Sequence, residues 1–272
     1  MTNHHLNGSN DQDPIKSFIK SNDTAHDMPK ISTLKLRSGN EIPVIGLGTW
    51  QLLSETCYES VKKALELGYT HIDTAEAYEN QREIGFAIRD SGVERSNLFI
   101  TSKVWRENLD YYDVIKACDE TLKDLRTDYL DLFLIHWPNK NLPVDQTISA
   151  MAELYKNGKI KAFGVSNFTM AHLKEAMPFA ETKGIPISVN QVEFHPYLNQ
   201  KELLDFCRDN DIIVTAYSPL GRGEVLNDST LKDIAERHGK SIAQVVLRWL
   251  LQKGMVLIPK SENEGHMKSN LE

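Results

Sequence analysis

Four residues of the sequence combine a carboxylate, an ammonium, an imidazole and a phenol in a pattern that suits carbonyl chemistry. Asp73, Lys103 and His136 each stand at the end of a short apolar run, and Tyr78 follows Asp73 by five residues. A carboxylate keeps a neighbouring ammonium charged, and that charge lowers the pKa of a nearby phenol from about 10. We expect Tyr78, tuned in this way, to donate a proton near neutral pH to a developing alkoxide. His136 would donate a hydrogen bond to the same oxygen, and a cofactor would supply hydride.

Each of these residues also has a plainer interpretation. Asp73 and Lys103 could form an ion pair at the rim of the fold, and His136 could be a hydrogen-bonded histidine near the core. A metal-dependent hydrolase is a further alternative, with Asp73, His136, Glu193 and His195 as ligands. The first apolar run, Val44-Ile45-Gly46-Leu47-Gly48, lacks the His-x-His pair that would begin such a site, so no metal is expected.

Eight apolar runs are predicted to be the strands that carry these residues. Most begin about 25 to 32 residues apart, which is the length of one strand–helix unit. The last gap is longer and must hold additional helix or loop. The predicted strands are Val44–Leu47, His71–Asp73, Leu98–Ser102, Tyr129–Ile135, Lys161–Val165, Ile187–Val192, Ile212–Ala216 and Val256–Ile258.

Between these runs, apolar residues recur at helical spacing. The first helix is predicted to have Ser54 as its N-cap and to end at Gly68. Cys118 falls on the apolar face of a later helix and is expected to be a small core residue rather than a reactive thiol. Eight strand–helix units favour an α/β fold of the (β/α)8 TIM-barrel type, and a doubly wound open sheet is the alternative. Chemistry in such a barrel lies at the carboxyl ends of the strands.

The chain is predicted to have one folded domain, residues 33–272, after a polar tail of residues 1–32 that we expect to be disordered. Thr33–Leu36 and Ile42–Val44 flank Ser38-Gly39-Asn40 and are predicted to form a hairpin that closes the bottom of the barrel. Residues 1–32 contain no basic segment followed by an apolar stretch, so no secretory signal is expected.

The composition excludes several classes of function. The chain has 272 residues and a formal net charge of −7, which argues against nucleic-acid binding. It has no run of 18 apolar residues, so no membrane span is expected. The three cysteines are far apart and form no CxxC site. We expect a cytoplasmic protein whose partner is a small molecule.

Three segments resemble the signatures of the aldo-keto reductases. The first is Gly68-Tyr69-Thr70-His71-Ile72-Asp73-Thr74-Ala75-Glu76-Ala77-Tyr78-Glu79-Asn80-Gln81, closed by Ile84-Gly85. The second is Lys161-Ala162-Phe163-Gly164-Val165-Ser166-Asn167-Phe168, and the third is Ile258-Pro259-Lys260-Ser261. The resemblance extends over Thr33–Glu272. It implies a (β/α)8 barrel, NADPH-dependent reduction of aldehydes, ketones or dicarbonyls, and a catalytic tetrad of Asp73, Tyr78, Lys103 and His136.

The same resemblance implies the contacts of the cofactor. Ser166, Asn167 and Gln191 match residues that hold the nicotinamide carboxamide, and Tyr217 matches the aromatic residue that stacks on the ring. The loop over the pyrophosphate corresponds to Ser218, Pro219, Leu220 and Gly221. Residues that match the site of the adenosine 2′-phosphate and adenine are Lys260, Ser261, His266 and Asn270.

The chain departs from the family pattern near its end. His266 stands where the family usually has an arginine, and a neutral histidine grips phosphate less well than a guanidinium. We therefore expect a weaker preference for NADPH and some use of NADH. Ser269 stands where a glutamate is frequent. The chain ends at Glu272, where relatives begin the eighth helix and a loop over the substrate, so the eighth helix is expected to be truncated and the substrate range is left open.

Aromatic residues just beyond strand ends are predicted to line the substrate pocket. Trp50, Trp105 and Trp137 occupy such positions, whereas Trp249 falls on a helix and is assigned to packing. A barrel that binds the cofactor with little turnover, as a structural or redox-sensing subunit, is the alternative function. A monomer is the expectation from the family.

Overall fold

The protein, as a computed structural model, is described for residues 31–272, so the predicted disorder of residues 1–30 lies outside the described residues. Strands and helices alternate along almost the whole of this range. The strands are β1 Thr33–Lys35, β2 Glu41–Pro43, β3 Leu47–Gly48, β4 His71–Asp73, β5 Phe99–Val104, β6 Leu132–Ile135, β7 Phe163–Ser166, β8 Ile187–Glu193, β9 Ile213–Tyr217 and β10 Val256–Leu257. The helices are α1 Ser54–Glu66, α2 Gln81–Ser91, α3 Tyr111–Leu125, α4 Val144–Lys156, α5 Met170–Thr182, α6 Lys201–Asp209, α7 Ser229–His238, α8 Ile242–Gln252 and α9 Glu264–Leu271.

Strands β3 to β10 form one parallel sheet in chain order, and its two edges meet. Ile45 bridges to Leu257 and Gly48 bridges to Lys260, which joins the first strand to the last. The fold is therefore the predicted (β/α)8 barrel, and the open doubly wound sheet is wrong. Gly48 allows this closure, because a Cβ there would lie 2.5 Å from the carbonyl oxygen of Ile258.

The β1–β2 hairpin covers the end of the barrel where the strands begin. Its strands pair in antiparallel register, and Gly39 in the turn has a φ of +93°, which favours glycine. Leu36 and Ile42 are buried in one apolar cluster with Phe99 and Leu132, the first residues of β5 and β6. The prediction that the hairpin closes the bottom of the barrel is confirmed.

Two details at the first strand–helix unit differ from the prediction. Leu53, rather than Ser54, is the N-cap of α1; Ser54 is the first residue of the helix range and has a φ of +47°. Strand β3 is shorter than predicted because Val44–Gly46 contributes only isolated bonds to β10. The helix ends as expected, since α1 stops at Glu66 and Gly68 follows with a φ of +94°.

The apolar core lies between the strands and the surrounding helices. Cys57, Cys118 and Cys207 are unpaired and buried there, as expected for Cys118. Trp249 packs on the core through α8, with its ring 6.2 Å from that of Phe194. Among residues 31–272, no helix combines the length and the apolar character that crossing a bilayer would need. The last helix, α9, has eight residues and packs on α1 and α8.

Candidate active site

The carboxyl ends of β4 and β5 place an ion pair inside the barrel. Asp73 is the last residue of β4, and Lys103 is the fifth residue of β5. The Nζ atom of Lys103 lies 2.5 Å from Oδ1 of Asp73, and the two side chains are 0% and 2% exposed. The ammonium also donates to the carbonyl oxygen of Thr74 at 2.8 Å and to the hydroxyl of Tyr78 at 3.3 Å. All three N–H groups of the ammonium are thus directed to fixed acceptors.

The net electrostatic effect on Tyr78 corrects the prediction from the sequence. Burial raises the pKa of Tyr78 above its ordinary value of 10, and the opposing effect of Lys103 does not cancel this increase. Asp73 also raises it. The neighbouring charges were apparent from the sequence, but the burial of the phenol was not. Burial removes the phenol from water and so disfavours the phenolate. A raised pKa keeps Tyr78 protonated at neutral pH, as a proton donor must be.

Lys103 remains charged in this environment. Burial alone would lower the pKa of its ammonium, but the charge of Asp73 and the contacts with Asp73 and Tyr78 together raise it. The prediction that a carboxylate keeps this lysine charged therefore agrees with the structure.

His136 is held as a neutral imidazole beside the phenol. It directly follows β6, and its ring meets the ring of Tyr78 edge to face with the centroids 5.6 Å apart. Burial, assisted by the charge of Lys103, lowers the pKa of His136 from 6.5 to about 3. Its Nδ1 atom is buried without a hydrogen-bond partner. A neutral ring has one N–H group that can donate to an oxygen held next to Tyr78.

Gln191 contacts Asp73 directly, which the sequence did not predict. Its Nε2 atom donates to Oδ2 of Asp73 at 2.7 Å. Both oxygens of Asp73 are therefore hydrogen-bonded, one to Lys103 and one to Gln191. The predicted contact of Gln191 with a nicotinamide carboxamide stays a prediction.

Three other predicted cofactor residues form one hydrogen-bonded group beside His136. The Tyr217 hydroxyl donates to Oδ1 of Asn167 at 2.9 Å, and the Asn167 amide donates to the backbone oxygen of His136 at 3.1 Å. The same amide donates to the Ser166 hydroxyl, which in turn donates to the backbone oxygen of Gln191 at 2.8 Å. Burial raises the pKa of Tyr217 to about 12, so its ring is a neutral phenol.

The loop after β9 has an unusual backbone. Four of its residues have φ between +46° and +96°, namely Ser218, Gly221, Arg222 and Gly223. Leu220 packs against the core and anchors the loop. Successive residues of this kind form concave, anion-binding turns when their N–H groups converge.

The predicted phosphate and adenine residues lie after β10 and on α9. The Lys260 ammonium is 3.7 Å from the Glu262 carboxylate. The Ser261 hydroxyl accepts from the backbone N–H of Asn263, which caps α9. His266 lies exposed in the first turn of α9, while Asn270, in its last turn, contacts the Tyr69 hydroxyl.

The predicted pocket walls differ in how closely they approach the predicted catalytic residues. Trp105 is half-buried, and its ring meets that of His136 with the centroids 5.2 Å apart. Trp50 and Trp137 are 45% and 40% exposed. The guanidinium of Arg222 lies 5.7 Å from the centre of the Trp50 ring. Only Trp105 thus packs on a predicted catalytic residue, and pocket lining by Trp50 and Trp137 stays a prediction.

Glu193 and His195 form a separate polar pair on the same rim. The Glu193 carboxylate lies 3.3 Å from Nε2 of His195 and 3.8 Å from the Arg222 guanidinium. In the part of the chain that the structure describes, no three His, Cys, Asp or Glu side chains are grouped to hold a metal ion.

Two contacts at the site have no counterpart in the sequence reasoning. The backbone oxygen of Thr74 accepts from Lys103, and no sequence signal could reveal it because it is a main-chain atom. Glu76 accepts from the backbone N–H of Trp105 at 2.8 Å. The position of Glu76 between Asp73 and Tyr78 could have suggested this contact, because a carboxylate on that turn must face either solvent or a neighbouring loop.

The chain resembles known proteins over nearly its whole described length. The sequence model of the aldo/keto reductase family matches residues 44–272. A glyoxal reductase of Bacillus subtilis (strain 168) is 49% identical over 239 residues, which covers 88% of this chain and 85% of that protein. An aldehyde reductase of Saccharomyces cerevisiae is 39% identical over 268 residues, with 88% and 85% covered.

A solved structure agrees with these sequence matches. The crystal structure of an aldo/keto reductase from Brucella melitensis superposes with a TM-score of 0.84 at 42% sequence identity. The match covers 89% of this chain and 93% of that one.

Proposed function

Because the chain belongs to the aldo/keto reductase family, we propose that it reduces small aldehydes and dicarbonyls to alcohols, with Tyr78 as the proton donor. The observation that carries the proposal is the contact of the Tyr78 hydroxyl with Lys103, itself paired with Asp73 inside the barrel. The similarity to proteins named glyoxal reductase and aldehyde reductase supports this choice of substrate.

The residues at the rim fit a reduced nicotinamide cofactor. Tyr217 offers a neutral aromatic ring beside the Asn167 amide and the Ser166 hydroxyl, which together match a nicotinamide ring and its carboxamide. The loop Ser218–Gly221 would cover the pyrophosphate. Lys260, Ser261, His266 and Asn270 would hold the adenosine end. When bound, such a cofactor supplies hydride to the carbonyl carbon.

The protein's own residues would bind and protonate the carbonyl oxygen. The Tyr78 hydroxyl is protonated, because burial keeps its pKa high, and the Lys103 ammonium next to it stabilises the negative charge left when the proton moves. The neutral His136 ring would donate a hydrogen bond to the same oxygen as charge develops on it. Trp105, packed against His136, would shield this oxygen from water.

We propose that NADPH is the main cofactor and that NADH is also used. Lys260 is the expected partner of the 2′-phosphate, but Glu262 lies 3.7 Å from its ammonium and reduces its effective charge. His266 adds no permanent charge where the family usually has an arginine. Both features weaken the discrimination in favour of a phosphate.

A cytoplasmic monomer is proposed as the working form. The three unpaired thiols, all buried, are consistent with a reducing compartment. Nucleic-acid partners are not proposed, because the net charge is −7.

The proposal is tested by titrating the purified full chain with NADPH, followed by fluorescence, and then adding methylglyoxal or 4-nitrobenzaldehyde. The wild type should bind and oxidise NADPH. Tyr78→Phe should bind it equally well and reduce either carbonyl about 100- to 10,000-fold more slowly. Tyr112→Phe makes the same change at a tyrosine that is 78% exposed, so it is the matched control and should behave as wild type.

Two outcomes would contradict the proposal. Binding without reduction of either carbonyl would favour the alternative of a cofactor-binding barrel with little turnover. Full activity in Tyr78→Phe would exclude this residue as the proton donor.

A further inference from the structure

Glu76 connects the turn that carries the proton donor to a neighbouring loop. It begins the short 3-10 turn Glu76–Tyr78, two residues before Tyr78. One carboxylate oxygen accepts from the backbone N–H of Trp105 at 2.8 Å, and the other accepts from the side-chain amide of Asn108. Both oxygens thus bind the loop that follows β5. A charged acceptor makes such bonds stronger than neutral ones.

This connection closes a ring of contacts around the catalytic residues. Trp105 stands two residues after Lys103, so Glu76 fixes the turn of Tyr78 relative to the end of the strand that holds the lysine. The Trp105 ring packs on His136, and the His136 ring packs on Tyr78. Glu76 is partly buried, and its two side-chain hydrogen bonds go to the loop after β5 rather than to the four proposed catalytic side chains.

We propose that Glu76 is a positioning residue that holds Tyr78 within hydrogen-bond reach of Lys103 and holds the Trp105 ring against His136. Without this carboxylate, the partly buried N–H of Trp105 loses its acceptor, and the loop must move to find water. The Tyr78 turn then loses its fixed distance to β5. The kinetic part of this inference depends on the proposed carbonyl reduction, whereas the structural part does not.

Amide hydrogen exchange of the full chain tests the structural part. In the wild type, the Trp105 amide should be protected. In Glu76→Ala, exchange in residues 104–109 should be at least about tenfold faster, because the acceptor is gone. Glu76→Gln keeps an acceptor oxygen for Trp105 and can pair with a rotated Asn108 amide, so it should restore protection. Glu79→Gln removes a charge from the exposed end of the same turn and should leave exchange unchanged.

Kinetics test the positioning role. Glu76→Ala should lower kcat by about 10- to 100-fold, the usual effect of a misplacement near 1 Å. The dissociation constant for NADPH should stay the same. The alkaline limb of the pH profile should shift upward, because Tyr78 moves away from the charge that lowers its pKa. Glu76→Gln should recover most of kcat, and a purely structural role would not shift the pH profile.

Several results would overturn the inference. An unprotected Trp105 amide in the wild type would show that the bond does not form. Wild-type exchange or an unchanged kcat and pH profile in Glu76→Ala would show that it does not position the site. If Glu76→Ala does not fold, Asn108→Ala removes the second bond of Glu76, and an unchanged kcat and pH profile in that variant would count against the inference. If the wild type reduces no carbonyl, the proposed function fails while the exchange data still decide the structural part.

Discussion

Removing one partner of the Asp73–Lys103 pair should destabilise the fold strongly, although both variants are close in shape to the wild type. Lys103→Met deletes three hydrogen bonds and leaves the Asp73 carboxylate with Gln191 as its one remaining donor. The two side chains are 0% and 2% exposed, so water cannot replace the lost partner. Breaking a buried pair from one side costs about 3–5 kcal/mol, because an uncompensated charge remains.

Asp73→Asn should lower the free energy of unfolding by less than Lys103→Met does, within the same range. The ammonium retains the Thr74 carbonyl and the Tyr78 hydroxyl as acceptors, and the new amide oxygen can still accept. The double variant Asp73→Asn/Lys103→Met contains no buried charge, so its cost should be well below the sum of the single costs. We expect a coupling free energy of about 2–4 kcal/mol between the two sites.

The assay is urea denaturation of the full chain without cofactor at pH 7, followed by circular dichroism for the four proteins of the cycle. Lys201 and Asp205 form the control pair, because they are also in contact but their side chains are 75% and 39% exposed. Lys201→Met and Asp205→Asn should show a coupling of at most about 0.5 kcal/mol. Additive costs at Asp73 and Lys103, or single costs below about 1 kcal/mol, would refute the inference that this pair is cut off from water.

Three further outcomes are expected at other sites. Burial lowers the pKa of His71 from 6.5 to about 4, so the contribution of the neutral ring to stability is complete above pH 6.5 and is lost as the pH falls toward 4. Relative to His71→Asn, the free energy of unfolding of the wild type should fall by about 3 kcal/mol between pH 7 and pH 4. Parallel curves for the two proteins would contradict this. Gly85→Ala should lower Tm and cost about 1–3 kcal/mol despite the better helix propensity of alanine, because its Cβ would lie 2.5 Å from the backbone oxygen of Asp124. His266→Arg should raise the ratio of kcat/KM for NADPH over NADH about tenfold by adding a fixed charge at the proposed phosphate site, whereas an unchanged ratio would place the phosphate elsewhere.

The periodic features of the sequence favoured the barrel and left an open doubly wound sheet as the alternative. Short apolar runs at regular spacing identify strands buried on both faces, and the hairpin was readable from Gly39 in a polar turn. The prediction failed where a local signal competes with packing. Ser54 is a favourable N-cap residue, but the helix begins one residue earlier than a serine cap requires. The need for glycine at position 85 depends on how closely α2 approaches α3, which no local pattern reveals.

The residue types of the candidate site could be found from the sequence, but the pKa shift of Tyr78 could not. Residue types at strand ends located Asp73, Lys103 and His136, because parallel strands deliver their carboxyl ends to one rim. The direction of the pKa shift of Tyr78 was wrong, since it depends on how much water the fold removes around the phenol. The bond from Gln191 to Asp73 crosses the barrel interior between residues 118 positions apart, and spacing alone does not predict such a contact.

The two buried layers of the barrel explain why His71 stays neutral. Side chains two residues apart on a strand share a face, so His71 lies beneath Asp73 on β4 and Thr101 lies beneath Lys103 on β5. His71 contacts the Thr101 hydroxyl at 3.0 Å. Burial, with a smaller effect from the charge of Lys103, lowers its pKa although the charge of Asp73 opposes this. A protonated His71 would place a second cation near Asp73 and compete with Lys103 for its charge. The neutral ring that burial enforces at His71 therefore leaves the charge of Asp73 to Lys103.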